Sequence, residues 1–515
     1  PKKKVVHFSG SFPPTFGIMI NSNLLEVLQT FTKDQLTSFQ EYLYWSMRDQ
    51  PFDRNEAAQL LEIIVDHYPD FQHEALQKEA VFAQMFPQKA FVERKIDKIM
   101  VNLGKSLRNF QLHHHYLQPE NEFHQLLDIL QVYKSKGLVA RYQQAFKLLE
   151  AYVKANQKQS LKAALEFYQF QYEKLDWNSL HNNQRSDLDL PGIIDAFEVY
   201  HQINLHDFLN RYLLQQKLVN LSPPPFLQTI LSNSYQQAPA DAPALLFVYQ
   251  YTHKLLYKTD TKVEEFNFIL NYLQENEALF DGHTLQSFYT YLRNICIILI
   301  NKGHAEFAYT MFRLVKTNVE LGHIFYKGKI TTSAFVNAVT MALQVKETAW
   351  AYHFLENYKD AMLGESADRI YYRLCLASYH FAVQAYDQVI EHLPLSMPEI
   401  KFTLIARRLE LKTYYELKSD LTDFKSETFR VFVVRLPQKN LPPDTIAFNA
   451  NFASILSQLL NSKQGDRERG IKLIQRIAER RFISEREWLY EQACTLGNIS
   501  PVEAAEMIKN TPIKG

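Results

Sequence analysis

The stretch "NICIILINKGHAEFAYTMFRLVK", residues 294–316, decides how the rest of the chain is interpreted. Its uninterrupted apolar run, residues 295–300, is six residues long, whereas a helix needs about 20 residues to cross a bilayer. Apolar residues recur at helical spacing on both sides of Gly303: Leu292, Ile295, Cys296 and Leu299 before it, and Ala308, Phe312 and Val315 after it. The segment therefore predicts two helices joined by a turn at Gly303, not a membrane span or a buried strand.

Three further stretches repeat this pattern of small and aromatic residues. They are "FVNAVTMALQVKETAWAYHFLENY" (335–358), "YRLCLASYHFAVQAYDQVIEHLPL" (372–395) and, more loosely, residues 404–433. The equivalent positions Ala308, Ala351 and Val389 are 43 and 38 residues apart, against about 34 in a strict tetratricopeptide repeat. We therefore predict degenerate helix-turn-helix repeats, similar to tetratricopeptide or pentatricopeptide repeats, that stack into an α-solenoid. An irregular helical bundle is the alternative.

The composition of the chain favours an all-α fold. Its 515 residues include 14 glycines, 36 phenylalanines and 29 tyrosines, which suits helices that bury large rings and disfavours a turn-rich β protein. No proline occurs in residues 120–190 or 244–393, and a proline inside a helix costs about 3 kcal/mol. The best strand candidate, "FRVFVVRL" (429–436), continues the helical spacing that precedes it, so we interpret it as a helix end.

Proline-rich segments and periodicity divide the chain into a tail and three helical modules. We predict a disordered N-terminal tail over residues 1–22, within which Met19 is a candidate natural start. An N-terminal helical module follows over 23–118, middle helical repeats over 119–236, and a C-terminal tetratricopeptide-like solenoid over 237–515. The segments "LSPPPF" (221–226) and "QAPADAPA" (237–244) are interpreted as loops near the last boundary.

Five short motifs have the form of a capping box, in which Ser, Thr or Asp at the helix start is followed three residues later by Glu or Gln. They are Thr32-Lys-Asp-Gln35, Asp53-Arg-Asn-Glu56, Thr261-Lys-Val-Glu264, Ser484-Glu-Arg-Glu487 and Ser500-Pro-Val-Glu503. Each predicts the first turn of a helix. Pro501 strengthens the last one, because proline suits the first helical position.

Six motifs carry a resemblance to a known family. Four lie near the N-terminus: "LLEVLQTFTKDQLTSFQEYL", "HYPDF", "LQKEAVFAQMFP" and "FVERKIDKIMVNLGKSLRNF". Two lie nearer the C-terminus: "LELKTYYELKSDLTDFKSETFRVFVVR" and "ERRFISEREWLYEQ". Over roughly residues 23–495 the chain resembles a family of uncharacterised helical proteins of Bacteroidota. It departs from them at "YLYWSMRDQPFDRNEA", where such proteins tend to carry a Ser-Pro-aromatic-Asn stretch. The resemblance implies a tetratricopeptide-like scaffold and no particular activity.

The sequence carries no familiar catalytic, cofactor or metal motif. It has no GxxxxGK[ST] phosphate loop, no GxGxxG after a strand, no HExxH and no GxSxG. The adjacent histidines 113–115 point about 100° apart on a helix and cannot converge on one metal ion. Cys296, Cys375 and Cys494 have no ligand spacing and are interpreted as buried thiols of a cytoplasmic protein. We predict no catalytic, cofactor-binding or metal-binding residue.

A helical-repeat array without catalytic motifs indicates an interaction scaffold. We predict a non-enzymatic protein whose concave surface binds another protein or a peptide. First-helix positions would supply the exposed contacts: Arg293, Asn301, Thr340, Gln344 and Ser378. Two alternatives stay open. One is single-stranded RNA binding, against which the formal net charge of zero argues. The other is an enzyme with an unrecognised site.

Overall fold

The computed structural model of the chain describes residues 22–46, 53–71, 73–156, 158–181, 188–218, 222–234, 242–258, 262–301, 304, 306–365, 368–394, 396–437, 441 and 444–508. Over these residues the protein is all-α, as predicted, with 24 α-helices and almost no β-structure. The chain forms two compact units, residues 1–152 and 153–515. The predicted tail lies outside the described residues up to position 21. The module boundaries at 118/119 and 236/237 stay predictions.

The first unit is built around one long amphipathic helix. Its described helices are α1 (Ser22–Gln29), α2 (Lys33–Ser46), α3 (Asp53–Val65), α4 (Lys78–Met85), α5 (Glu93–Tyr116), α6 (Glu122–Ser135) and most of α7 (Val139–Ala155). The apolar stripe of α5, with Ile96, Leu103 and Leu107 buried, packs against α2, α3 and α4. Phe110 continues the stripe, and its ring centroid lies 5.1 Å from that of Phe39 on α2. The three adjacent histidines, residues 113–115, occupy the exposed last turn of α5.

The start of α2 is fixed by the predicted capping box. The backbone N–H of Thr32 donates to Oε1 of Gln35 at 2.9 Å, and the N–H of Gln35 donates to Oγ1 of Thr32 at 3.2 Å. The flanking residues Phe31 and Leu36 are both buried, which closes the entry to the helix as a hydrophobic staple does. This helix start is therefore confirmed in both its polar and its apolar contacts.

The second unit is a succession of paired helices. They are α8 (Leu161–His181), α9 (Leu190–Leu218), α10 (Pro225–Asn233), α11 (Ala244–Tyr257), α12 (Val263–Glu275), α13 (Gly282–Asn301), α14 (Phe307–Glu320), α15 (Thr332–Gln344), α16 (Thr348–Tyr358), α17 (Ile370–Ala382), α18 (Tyr386–His392), α19 (Ile400–Glu416), α20 (Thr422–Val434), α21 (Thr445–Leu460), α22 (Arg467–Glu479), α23 (Arg486–Gly497) and α24 (Pro501–Ile508). From α13 to α21 each helix packs against the next one along the chain. In addition, α15 packs on α17, and α17 packs on α19. Because α20 continues to Val434, the interpretation of residues 429–436 as a helix end is confirmed.

Residues 294–316 lie in a helical hairpin, as predicted. Helices α13 and α14 pack against each other, and all seven residues predicted to line them are buried: Leu292, Ile295, Cys296, Leu299, Ala308, Phe312 and Val315. The predicted turn residue, Gly303, lies outside the described residues. In the described part of the chain, no helix has the length and apolarity that crossing a membrane requires.

Three other predicted helix starts have mixed outcomes. At α24 the backbone N–H of Glu503 donates to Oγ of Ser500 at 3.2 Å, and the helix begins at Pro501, as predicted. Asp53 begins α3, but its side chain is outside the described part of the structure, and so is the whole of Thr261. Helix α12 begins at Val263 with Lys262 as its N-cap residue, one residue later than the predicted box at Thr261 requires, and Glu265 in place of Glu264 accepts from the N–H of the N-cap residue. Proline also initiates α10 at Pro225, so the predicted loop over residues 221–226 is shorter than expected.

A short parallel bridge joins the two ends of the α15–α16 hairpin. Strand β1 (Ile330–Thr331) precedes α15, strand β2 (Met362–Leu363) follows α16, and the two pair residue for residue. The N–H of Ile330 donates to the carbonyl oxygen of Ala361 at 2.9 Å. Oγ1 of Thr331 then accepts from the N–H of Ala334 at 3.2 Å and caps α15. We call this pair of strands the β1–β2 clasp.

The predicted capping box at residues 484–487 does not form. Helix α23 begins one residue later than expected, and its N-cap residue is Glu485, which has a left-handed backbone conformation (φ 56°). The carboxylate of Glu485 turns instead to α19, where it accepts from Nε of Arg408 at 3.0 Å and from Nζ of Lys412 at 2.6 Å. Burial alone would raise the pKa of Glu485, but Lys412 and Arg408 outweigh it and lower this pKa to about 2. These two ion pairs hold the side chain of Glu485 on α19, and Glu485 makes no side-chain hydrogen bond that caps α23.

Helices α22 and α23 approach each other at two glycines. A Cβ added to Gly470 would lie 2.7 Å from Cα of Gly497. Because that atom belongs to the backbone, it cannot move away by rotation about a side-chain bond. Glycine is therefore required at this crossing, where both residues are buried.

Candidate binding groove

Arg293, the first of the five predicted contact residues, is buried, with 8% of its surface exposed. Its Nη1 donates to Oδ1 of Asn318 on α14, and its Nη2 donates to Oγ1 of Thr290 at 2.9 Å. Burial lowers the pKa of Arg293 to about 10. The predicted exposure of Arg293 is therefore wrong. Helical spacing gives the face of α13 on which it lies, but not the neighbouring helix that covers that face.

The other four predicted contact residues have different surroundings. Thr340 is exposed on α15, whereas Gln344 and Ser378 are half-buried. Oγ of Ser378 donates to the carbonyl oxygen of Leu374 in its own helix at 2.9 Å. The side chain of Asn301 lies outside the described part of the structure. No hydrogen bond between described residues joins any two of the five, so their role in binding stays a prediction.

A groove between α19 and α20 is a better-defined candidate site. Its empty volume is about 640 Å³, including the space open to solvent. Buried apolar residues line part of it: Pro394, Ala406, Leu411 and Phe429. Polar residues line the rest: Arg407, Glu410, Lys425 and Thr428. The residues from each helix recur at intervals of about three or four, so each helix gives one face to the groove.

Lys425 and Glu410 form an ion pair across the groove. Nζ of Lys425 lies 2.6 Å from Oε1 of Glu410, and both side chains are largely buried. The hydrogen bond from this ammonium to the carboxylate is the largest influence on Lys425 and raises its pKa. The pair therefore holds α19 and α20 together and leaves no net charge at its position.

Arg407 carries the remaining charge of the groove lining. Its guanidinium carbon lies 4.0 Å from the ring centroid of Phe432, which makes a cation–π contact between α19 and α20. Its Nε is buried and has no hydrogen-bond partner among the described residues. Glu410, the carboxylate of the lining, is paired with Lys425. The positive charge of Arg407 is thus oriented by an aromatic ring and is not neutralised within the groove.

Apolar surface continues from the groove along α20. Leu421 and Phe424 are 51% and 69% exposed. They lie four residues before Lys425 and Thr428, which line the groove, so the four side chains share one side of the helix. A ligand in the groove would therefore meet apolar side chains at its rim as well as at its base.

The groove lining offers a small set of polar groups. Its lining holds one guanidinium that forms no ion pair with any described residue, one ion pair and one hydroxyl. The Thr428 hydroxyl donates to the carbonyl oxygen of Phe424 at 2.9 Å. Among the residues that the structure describes, no three His, Cys, Asp or Glu side chains are grouped so that they could hold a metal ion. Sequence reasoning missed this site, although Arg407 lies within "LIARRLELK", because its ring and its groove partners come from α20.

A second polar cluster is closed off within the second unit. Asp207 on α9 accepts from the hydroxyl of Tyr291 and from Nε of Arg211, each at 2.8 Å. Beside it, the imidazole rings of His206 and His253 meet edge to face with centroids 5.5 Å apart. Asp207, His206 and His253 are all buried. Because these side chains are shielded from solvent, the cluster fixes how α9, α11 and α13 pack together.

His253 is the least satisfied member of this buried polar cluster. Its Nε2 lies 3.4 Å from the carbonyl oxygen of Leu231 on α10, and its Nδ1 has no partner among the described residues. Burial first, and the neighbouring His206 second, lower the pKa of His253 to about 4. The ring is therefore neutral near pH 7.

No family model, no curated protein and no solved structure matches this chain. Membership of the Bacteroidota family is therefore a prediction that rests on the six quoted motifs. The groove is interpreted from its own residues and their contacts.

Proposed function

We propose that the protein is a non-enzymatic scaffold that binds another protein through a degenerate tetratricopeptide-like α-solenoid. The observation that carries the proposal is the packing order of the second unit. From α13 to α21 each helix packs on the next, and α15, α17 and α19, the first helices of successive pairs, also pack on one another. Stacked helix pairs of this kind present an extended surface for a partner.

The scaffold acts in the cytoplasm in this proposal. All three cysteines, Cys296, Cys375 and Cys494, are free and buried. Burial raises the pKa of each of these thiols, so they stay protonated and unreactive. Unpaired buried thiols fit a reducing compartment.

In this proposal the partner contacts the groove between α19 and α20. It combines a concave shape, an unneutralised guanidinium and apolar side chains at base and rim. Binding energy at interfaces is concentrated in such anchor sites, where arginine and aromatic residues are enriched. The predicted contacts Thr340, Gln344 and Ser378 would extend the partner's path along the neighbouring helices.

Site-specific photo-crosslinking in the native host tests the scaffold function. A benzophenone amino acid replaces Thr428 in the groove or Thr340 on α15. The matched control replaces Arg430, which is exposed two residues on from Thr428 and about 200° around α20. We expect one protein to be captured from the first two positions and not from the third.

The captured protein must then form a stoichiometric complex with the purified chain, measured by isothermal titration calorimetry. Capture at all three positions alike, or no complex between the purified proteins, would overturn the proposal. A salt-dependent electrophoretic shift with single-stranded RNA, without any protein partner, would favour the RNA-binding alternative instead.

A further inference from the structure

We propose that the groove between α19 and α20 recognises a partner segment in which one carboxylate stands beside apolar side chains, with Arg407 receiving the carboxylate. This inference rests on the proposed scaffold function and names the chemistry of its binding site. Three features support the inference: the charge of the groove lining, the orientation of the Arg407 guanidinium and the apolar surface around this guanidinium.

The charge of the lining matches a single negative charge. Two cations, Arg407 and Lys425, and one carboxylate, Glu410, leave one positive charge. Glu410 neutralises Lys425 in an ion pair at 2.6 Å, so the remaining positive charge of the lining is that of Arg407. A carboxylate neutralises that charge. A phosphate monoester carries about −1.5 to −2 near pH 7 and would leave negative charge beside Glu410.

The orientation of the Arg407 side chain suits a planar ligand with two acceptor oxygens. Its guanidinium carbon lies 4.0 Å from the ring centroid of Phe432, and this cation–π contact limits the orientations that the side chain can take. A guanidinium group is planar and directs its N–H donors outward in that plane. Carboxylates accept two such parallel hydrogen bonds, and each charge-assisted bond is roughly twice as strong as a neutral one.

The apolar surface around Arg407 requires apolar neighbours in the ligand. Ala406, Leu411 and Phe429 form the buried side of the groove, while Leu421 and Phe424 stand exposed at its rim. A free inorganic anion would pair with Arg407 but would leave the apolar surface exposed to water. An acidic residue flanked by leucine or phenylalanine would pair with Arg407 and also bury the apolar surface.

Small probes separate the charge from the apolar contact. The full chain is titrated with 4-phenylbutyrate, 4-phenylbutyramide and phenyl phosphate, and binding is followed by saturation-transfer NMR. We expect the carboxylate to bind about tenfold more tightly than the amide, a difference of about 1.4 kcal/mol. Arg407→Gln should reduce the affinity for the carboxylate to that for the amide.

Arg430→Gln is the matched control, because it removes the same charge from the exposed, opposite side of α20. It should leave the preference for the carboxylate unchanged. Thr428→Trp adds a large side chain to the groove lining and should weaken binding of the carboxylate and the amide alike. In the unmodified chain, about 1 M salt should reduce the preference, because screening acts on charge and not on apolar contact. That measurement does not depend on any variant folding correctly.

Three results would overturn the inference: equal affinity for acid and amide, tighter binding of phenyl phosphate, or an unchanged preference after Arg407→Gln. The inference and the scaffold function can fail separately. If 4-phenylbutyrate binds through Arg407 but crosslinking at Thr428 yields no partner, the scaffold function fails and the ligand chemistry stands. If a partner binds and Arg407→Gln leaves its affinity unchanged, the ligand chemistry alone fails.

Discussion

Acidification should destabilise the second unit through one buried imidazole, that of His253. This ring is 0% exposed, and its pKa falls from 6.5 to about 4 in the folded protein, chiefly through burial. The unfolded chain therefore binds the proton more tightly than the folded chain does. The stabilisation by neutral His253 is fully present above about pH 6.5 and is lost as the pH falls towards 4.

The size of the effect follows from the difference between the two pKa values. Each pKa unit corresponds to about 1.4 kcal/mol, so the whole shift corresponds to about 3 kcal/mol. Most of it is lost on the way down to pH 5, because the unfolded histidine is already protonated there and the folded one is not. Between pH 7 and pH 5 the expected loss is about 2 kcal/mol.

His253→Gln isolates this contribution. Glutamine retains an N–H donor for the carbonyl oxygen of Leu231 but does not titrate. The free energy of unfolding in urea is measured for both proteins near pH 7, 6 and 5. The variant should start less stable, because the ring is lost, and should then lose about 2 kcal/mol less than the wild-type protein.

Comparing the two proteins removes the titration of Glu485 and the other carboxylates, which both proteins share. Parallel pH curves for wild type and variant would refute the reasoning. So would an NMR titration that gives His253 a folded pKa near 6.5.

Three further predictions concern pairing, packing and capping, each measured by equilibrium unfolding in urea. Glu485→Gln should cost about 2 kcal/mol, because its two largely buried cationic partners lose their carboxylate; Arg430→Gln, which breaks an exposed pair, should change nothing measurable. Gly470→Ala should cost about 2 kcal/mol, because its Cβ would meet backbone at 2.7 Å. Gly104→Ala, whose Cβ meets nothing within 4 Å, should instead stabilise α5 by about 0.5 to 1 kcal/mol. Thr32→Ala should cost about 1 kcal/mol by removing half of a capping box.

Each of these predictions has a result that would contradict it. If Glu485→Gln and Arg430→Gln have equal effects, the network on α19 contributes no more than a surface pair does. A Gly470→Ala protein as stable as the wild type would mean that α22 and α23 cross at a greater distance. If Thr32→Ala leaves the free energy of unfolding unchanged, water satisfies the N–H groups in the first turn of α2 as well as the Thr32 hydroxyl does.

The hairpin at residues 294–316 was predictable because it depends on local order. A helix is signalled by side chains three or four positions apart, and the turn between α13 and α14 is signalled by a break in that spacing. The capping box of Thr32 and Gln35 has the same range, since its partners are three residues apart. Features of this kind are present in the sequence itself.

The surroundings of single polar residues were not predictable, because distant partners decide them. Arg293 is covered by a helix whose Asn318 is 25 positions away. Arg407 and Arg408 are neighbours in sequence, yet one enters the groove and the other binds Glu485, which lies 77 positions further on. Helical spacing separates their directions but does not say which of them faces which partner.

The β1–β2 clasp gives the α15–α16 hairpin a second connection, in addition to the short turn between its two helices. Main-chain hydrogen bonds hold the chain just before α15 to the chain just after α16. A protease that cuts after Lys346, an exposed residue in that turn, would sever the covalent link without releasing either helix. The two fragments would stay hydrogen-bonded to each other through β1 and β2, at the ends far from the cut. We therefore expect that a foreign sequence can be inserted in this turn while the helices stay packed.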